Sequence, residues 1–242
     1  MNAARHDGTE GRRALPHGAR RPHGAKSSSY GVAMTMYAAL LRGINVGGHK
    51  RVPMAELRTL LTELGHGDVR THLQSGNAVF SSASGDENAL AAELEQAIEE
   101  RFGFPVPCLV RDGAYLAGTA AACPFPAAEL EGRQLHVTYY DRPVDADRFA
   151  RIDPAAFLPE EFRLGDRALY LYAPGGLGTS KLGDALSRTS VTKDLVATSR
   201  NWNTVVKLVE MTAPTGTTAP SGTTAPPETT EPPAPAHDGA RT

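Results

Sequence analysis

Residues 37–48, YAALLRGINVGG, begin as an apolar run that stops at Arg42 and opens into a glycine turn. A short apolar run bounded by turn residues is typical of a buried β-strand. Such a strand would carry the polar side chains of Arg42 and Asn45 to its carboxyl end, beside Gly47 and Gly48. We therefore predict the first strand at residues 35–45 and take its carboxyl end as the first part of a candidate site.

The segments that follow this strand predict further elements in the order α-β-β-α-β. Apolar residues recur at helical spacing in two segments, and three short segments have the alternation or apolar content of strands. Together with the first strand, this order is the ferredoxin-like pattern, so we predict a first subdomain at residues 34–124. The helices are predicted at residues 54–64 and 90–102, and the strands at residues 69–73, 78–82 and 105–110.

The second half of the chain repeats the same order of elements, which predicts a second subdomain at residues 132–211. The fold class is therefore α+β, with two ferredoxin-like (βαββαβ) subdomains in tandem. This duplication is inferred from element order alone. Strands are predicted at residues 134–140, 161–164, 168–172 and 195–197, helical segments at residues 145–157 and 180–186, and a closing helix at about residues 200–211.

Both ends of the chain are poor in apolar residues, and we predict that residues 1–33 and 212–242 are disordered tails. Met34 and Met36 directly precede the first strand, which favours a native translation start there; the alternative is that the basic first tail is a polyanion-binding arm. Basic residues outnumber acidic ones by four in residues 1–33, and acidic residues outnumber basic ones by two in residues 212–242. Since the whole chain carries −2, residues 34–211 carry −4, and we expect no nucleic-acid partner for this body.

The cysteine count and the hydropathy pattern indicate a compartment. Two cysteines, Cys108 and Cys123, are too few for a disulfide framework. No apolar run is long enough to span a membrane, and the first residues lack the apolar core of a signal peptide. We therefore expect a soluble, cytoplasmic protein without membrane contact, whose oligomeric state the sequence leaves open.

Four polar segments are candidates for a binding site. Arginine, lysine and amide side chains suit carboxylate or phosphate groups, and glycine turns expose backbone N–H groups. Each segment also has an ordinary structural interpretation, as turn chemistry, a helix cap or a solvated helix face. The candidate ligand-binding residues are Arg42, Asn45, Gly47 and Gly48 after the first strand, Gln74, Ser75 and Asn77 in a hairpin turn, Lys181 after a glycine loop, and Arg200, Asn201 and Asn203 at the start of the closing helix.

Other chemistries lack a signature in this sequence. HExxH and CxxC motifs are absent, so no metal site is indicated, and the cofactor and the catalytic residues stay unidentified. The glycine loop at residues 175–181 has serine before lysine, which is the reverse of a P-loop. The first and third strands also lack the pair of aromatic residues with which the RNA-binding variant of this fold stacks bases.

Four sequence motifs resemble the bacterial domain-of-unknown-function family numbered sixteen ninety-seven. They are LLRGINVGG, THLQSGNAVF, the Ser180-Lys181-Leu182 step and TSRNWNTVVKL, in this order over about residues 36–211. The resemblance implies a two-part α+β structure with ferredoxin-like subdomains, and it implies no activity. It carries over the motif positions Arg42, Gly43, Asn45, Gly47, Gly48, Gln74, Ser75, Gly76, Asn77, Lys181, Arg200, Asn201, Trp202 and Asn203.

Three functions are compatible with these segments. The protein could be a binding module for a small anionic ligand, such as a nucleotide or phosphorylated metabolite, held between the two subdomains. The same donors could instead stabilise charge in an enzyme for phosphoryl or acyl transfer. In the third interpretation the polar motifs tie the two halves of an interaction protein together, with Arg42 and Trp202 buried and paired.

Overall fold

A computed structural model of the chain describes residues 34–214. The predicted basic extension at residues 1–33 lies outside this range, as does the predicted tail from residue 215 onward. Thr212 belongs to the last helix rather than to a tail. None of the helices in the described range is long and apolar enough to cross a membrane.

The first half forms a four-stranded antiparallel sheet with the order β2-β3-β1-β4. The apolar run of β1 lies at the centre of this sheet, which explains why its last five residues are buried. The strand ends at Leu41, four residues earlier than the sequence predicted, because the chain then turns into the glycine loop. The strands are β1 (Thr35–Leu41), β2 (Gly67–His72), β3 (Asn77–Ser82) and β4 (Cys108–Asp112).

The second half forms another four-stranded antiparallel sheet, with the order β6-β7-β5-β8. The strands of this sheet occupy the same relative positions as those of the first sheet. The architecture is therefore α+β with two antiparallel sheets in tandem. The strands are β5 (Leu135–Tyr140), β6 (Glu161–Gly165), β7 (Ala168–Tyr172) and β8 (Ala197–Asn201).

The helices begin and end where the local sequence can satisfy their free backbone groups. The Asp86 carboxylate accepts hydrogen bonds from the N–H groups of Asn88 and Ala89, at 2.9 and 3.1 Å, and caps α2. Gly103 ends the same helix with a left-handed φ of 80°. The helices are α1 (Met54–Glu63), α2 (Glu87–Phe102), α3 (Gly113–Ala121), α4 (Lys181–Leu186), α5 (Thr189–Thr192) and α6 (Trp202–Thr212).

Side chains pack in three apolar clusters that separate the layers. The first cluster lies between the first sheet and α1 and α2. The second cluster joins the inner faces of both sheets with α3 and α6, and it includes Leu40, Tyr139 and Leu208. The third cluster lies on the outer face of the second sheet, beneath α4 and α5. The two halves therefore share one central core, because residues of both sheets contribute to it.

Two predicted helical segments differ from the structure. Residues 145–157 form two short 3-10 helices, Ala146–Phe149 and Pro154–Phe157, because Pro154 interrupts backbone hydrogen bonding. The closing helix begins at Trp202, and not at Arg200, because the Asn201 side chain caps it by accepting from Thr204 N–H at 3.0 Å. Residues 197–201 instead pair with β5 as strand β8.

One buried histidine makes stability depend on pH. His136 on β5 is 8 % exposed, and its Nδ1 has no hydrogen-bond partner within residues 34–214. Burial lowers the pKa of His136, so the unfolded chain takes up a proton near pH 6.5 that the folded chain resists. The contribution of His136 to the free energy of unfolding is therefore expected to be constant above pH 6.5 and to decrease as the pH falls below 6.5. The slope is at most about 1.4 kcal/mol per pH unit.

Urea unfolding at pH 7.5, 6.5 and 5.5 measures this dependence. The variant His136→Gln is expected to flatten the slope below pH 6.5, since it removes the titrating group. His72 adds to the same slope, because burial and the positive charge of Lys207 lower its pKa as well. A His136→Gln variant with the wild-type slope would show that another group is responsible.

Candidate functional site

The guanidinium group of Arg200 joins the two halves of the protein. Arg200 lies on β8, and its Nε donates a hydrogen bond to Asn77 Oδ1 at 2.6 Å. Its Nη2 donates to the carbonyl oxygens of Leu41 at 2.8 Å and Gly76 at 3.2 Å. Segments that are far apart in the sequence therefore meet here, through hydrogen bonds within the protein.

The donors of Arg200 are all used within the protein. Its Nη1 donates to Thr198 Oγ1 at 2.6 Å and to the Ser199 carbonyl at 2.9 Å, so five hydrogen bonds match the five N–H groups of an arginine. Burial lowers the pKa of Arg200 to about 10, which leaves the group charged at neutral pH. The predicted position of Arg200 at the start of the closing helix is wrong, since this residue belongs to strand β8. No donor of Arg200 is left for a ligand.

The hairpin turn is shaped to receive this arginine. Asn77 is fully buried, and its Nδ2 donates to the His72 carbonyl at 2.9 Å and to Ser75 Oγ at 3.3 Å. Gly76 has a φ of +85°, and a Cβ at this position would lie 2.9 Å from Leu41 Cβ. A side chain at residue 76 would thus strain the backbone and push β1 away. The side chains of Gln74 and Ser75 are exposed.

Asn45 holds the loop after β1 closed. The backbone of Asn45 is left-handed, with a φ of 56°. Its Nδ2 donates to the carbonyl oxygens of Val52 at 3.0 Å and Gln74 at 2.8 Å, and its Oδ1 accepts from Val52 N–H at 2.9 Å. This side chain therefore ties the loop to the hairpin turn. Gly47 and Gly48 form the exposed tip of the loop, with left-handed φ values of 60° and 79°.

The residues that follow the glycine loop, at the start of α4, already bind a carboxylate of the protein, that of Glu160. Glu160 Oε2 accepts from Ser180 Oγ at 2.9 Å and from Leu182 N–H at 2.7 Å. A carboxylate of the chain thus occupies the position where a phosphate would meet the Ser180 hydroxyl and the Leu182 N–H group. The Lys181 side chain is exposed beside it. On α6, Asn203 is exposed and packs against Gly132, while Asn201 serves as the helix cap.

Arg42 is the predicted site residue that faces an open cavity. Its side chain is exposed and makes no hydrogen bond or ion pair with any of residues 34–214. Arg42 is therefore not buried and paired, as the interpretation of an interaction protein required. The cavity has a volume of about 270 Å³. It lies on the outer face of the second sheet, between the loop after β1 and helix α4. We call it the Arg42 cavity.

The floor of the Arg42 cavity carries hydroxyl groups that sequence reasoning missed. Thr138 on β5 pairs with Ser199 on β8, and their hydroxyl groups are hydrogen-bonded to each other. Tyr140 lies next along the same face, and burial raises the pKa of its hydroxyl group to about 12. The apolar wall comes from Leu169, Leu171, Leu177 and Leu186, and the polar wall from Asp184, Ser187 and Thr192. The sequence signal that could have identified Thr138 was the alternation of β5, which places it on the face opposite Val137 and Tyr139 of the central core.

An ionic network also joins the two halves on the other side of the core. Glu87 Oε2 lies 3.2 Å from Arg111 Nη1 and 3.0 Å from Arg167 Nη1. Arg111 is almost completely buried, and its Nη2 donates to the carbonyl oxygen of Tyr140. Tyr115 receives both guanidinium groups against its ring, at 5.3 and 4.5 Å from the centroid. These charged residues form no recognisable sequence motif, so only the structure identifies the network.

Comparisons with known proteins place the chain in a family. The family described as "Protein of unknown function (DUF1697)" matches residues 34–170. The chain belongs to this family, which confirms the resemblance inferred from the sequence motifs. The matched range contains the loop after β1 and the hairpin turn, and residues 171–242 lie beyond it.

The fold is shared with a solved structure. "The structure of conserved bacterial protein SP0830 from Streptococcus pneumoniae" has a TM-score of 0.60 with this chain at 24 % sequence identity, and the alignment covers 74 % of this chain and 99 % of that one. No curated protein matches the sequence. Within residues 34–214, no group of three or more His, Cys, Asp or Glu side chains is arranged to hold a metal ion.

Proposed function

We propose that the protein binds a small anionic ligand in the Arg42 cavity. The observation that carries this proposal is the Arg42 guanidinium, which lies at a cavity without a partner from the described part of the chain. An arginine offers a planar set of donors that fits carboxylate or phosphate oxygens. Four of the other predicted donors are excluded, because Asn45, Asn77, Arg200 and Asn201 are used within the fold.

The lining of the Arg42 cavity narrows the class of ligand. One arginine and one carboxylate, Asp184, leave the described lining without net charge, so a singly charged group is favoured over a polyphosphate. Leucine side chains would contact an apolar body, while the hydroxyls of Thr138 and Ser199 would orient polar groups. A volume of about 270 Å³ is near the small end of ligand cavities and suits a metabolite or a mononucleotide.

Binding is better supported than catalysis at this site. Among the described residues, the lining contains one carboxyl group, and it contains neither histidine nor cysteine. The raised pKa of Tyr140 keeps its hydroxyl group protonated at neutral pH, so it cannot serve as a general base. For phosphoryl or acyl transfer, the described lining offers the carboxylate of Asp184 as its single candidate base.

A thermal-shift and calorimetric experiment with the full chain tests the proposal. Benzoate and cyclic adenosine monophosphate are the probes, as a carboxylate and a nucleotide with one negative charge. A ligand at 100 times its dissociation constant stabilises the folded state by about 2.7 kcal/mol. The variant Arg42→Ala is expected to weaken binding about 10- to 100-fold, since a hydrogen bond to a charged group contributes about 1.5–3 kcal/mol.

The matched control is Arg133→Ala, which removes an exposed arginine that is paired with Glu131 on the surface. This variant is expected to bind as the wild type does. Equal affinities of Arg42→Ala and the wild type would place the ligand elsewhere. Absence of binding by both probes would count against a general anion site here.

Two further parts of the proposal concern the architecture and the compartment. The common strand order of the two sheets supports two ferredoxin-like subdomains, at residues 34–124 and 132–211. A cytoplasmic location is proposed from the cysteine usage, because Cys108 and Cys123 are both free.

A further inference from the structure

A second cavity lies in the outer layer of the second half, away from Arg42. It has a volume of about 330 Å³ and is enclosed by the two 3-10 helices, the end of α4 and the short helix α5. It shares no lining residue with the Arg42 cavity. We call it the arginine cavity, because Arg148, Arg151 and Arg188 line it.

The lining of the arginine cavity has a positive net charge. Three arginines face one carboxylate, that of Asp147, so the lining carries a formal charge of +2. Within residues 34–214, none of these arginines has a carboxylate oxygen within 4.0 Å, whereas Arg133, Arg163 and several others are ion-paired. The positive charge of the cavity is therefore not neutralised by direct ion pairs.

Arg148 is held in place by backbone groups. Its Nη1 donates to the carbonyl oxygens of Lys193 at 2.8 Å and Val191 at 3.3 Å, and the residue is half-buried. These acceptors are neutral, so they fix the position of the guanidinium group without neutralising it. Arg151 and Arg188 are exposed, and their side chains make no hydrogen bond in the described structure. Two arginines are thus free to bind a ligand beside a third that supplies a fixed positive charge.

The remaining lining is apolar. Ile152 and Phe157 are partly buried against the third core cluster, and Ala185 and Val191 are buried. Ser190 adds one hydroxyl group. A ligand that fills this space would therefore place an apolar body against Phe157 and Val191, and its charged group toward the arginines.

We propose that the arginine cavity binds the phosphate group of a small monoester with an apolar or aromatic body. A phosphate monoester carries about −1.5 to −2 at neutral pH, which matches the net charge of the lining. Guanidinium groups bind phosphate oxygens through two parallel hydrogen bonds, so Arg151 and Arg188 suit this group better than lysines would. Asp147 opposes the anion, and the three arginines outweigh this one carboxylate in the lining.

Calorimetric titration of the full chain with phenyl phosphate tests this proposal. The double variant Arg151→Ala/Arg188→Ala is expected to weaken binding about 100-fold, and each single variant about 10-fold. Inorganic phosphate is expected to bind more weakly than phenyl phosphate, since it leaves the apolar surface uncovered. Both arginines are exposed, so the variants should fold, and their thermal unfolding is measured to verify this.

Two controls separate this cavity from other positive surface. Arg163→Ala removes an exposed arginine that is paired with Glu161, and Arg42→Ala removes the arginine of the first cavity. Both variants are expected to bind phenyl phosphate as the wild type does. The proposal would be overturned by wild-type affinity in the double variant, by an equal loss in Arg163→Ala, or by no binding at millimolar phenyl phosphate. Loss of binding in Arg42→Ala alone would assign the probe to the first cavity and would also overturn it.

Discussion

Replacement of Arg200 by alanine is expected to lower the free energy of unfolding by about 3–5 kcal/mol, because it removes five buried hydrogen bonds at once. Three backbone carbonyls and the side chains of Asn77 and Thr198 lose their partner. In a protein of this size, such a loss corresponds to a decrease in the melting temperature of about 10 °C. Urea unfolding followed by circular dichroism measures the free energy.

Three companion variants determine whether the contact itself is responsible. Arg133→Ala removes an equally charged but exposed side chain, and it is expected to change stability by less than about 0.5 kcal/mol. Arg200→Lys keeps the charge with fewer donors and should be intermediate. In a double-mutant cycle, Asn77→Ala and Arg200→Ala should couple by about 1 kcal/mol or more, since the side chains are in contact. An Arg200→Ala variant as stable as Arg133→Ala would contradict the assigned role.

The second large effect is expected for Glu87→Ala. This variant removes the carboxylate between Arg111 and Arg167 and leaves the buried guanidinium of Arg111 without its counter-charge. It also removes the acceptor of the Asp112 N–H group, which Glu87 Oε1 meets at 2.9 Å. Loss of one partner of a buried ion pair costs about 3–5 kcal/mol, and we expect a decrease in the free energy of unfolding of this size.

The control for this prediction is Glu131→Ala. Glu131 and Arg133 form an ion pair in which both side chains are 64 % exposed, and such pairs contribute about 0–1 kcal/mol. Glu87→Gln retains the shape and one acceptor, so it isolates the contribution of the charge. If Glu87→Ala and Glu131→Ala destabilise the protein equally, the network does not hold the two halves together.

The helices and strands could largely be predicted because their signals are local. Met54, Leu57 and Leu61 recur at helical spacing, and all three are buried in α1. The prediction failed at residues 200–201, where the closing helix was expected to begin at about Arg200, whereas Asn201 is its cap. Several capping residues in a row leave the start of a helix ambiguous until the pairing of a strand, here β8 with β5, decides it.

The candidate site could be predicted only in part. Arg200 meets Asn77 and the carbonyl oxygen of Leu41, the residue before Arg42, at the carboxyl end of β1. The sequence could not show that Asn77 and Arg200 bind each other, because 123 residues separate them. It also missed Thr138 and Ser199, whose ordinary hydroxyl groups become noticeable only as the floor of a cavity.

The amino-acid sequence by itself determined the element order, the apolar faces and the family of this protein, since these depend on spacing along the chain. Tertiary structure alone decided which polar groups remain available to a ligand. The physical reason is that a buried donor must find an acceptor. Arg200 finds five acceptors within the fold, whereas the exposed side chain of Arg42 finds none among residues 34–214. The same kind of residue thus holds the core together at one position and faces an open cavity at the other.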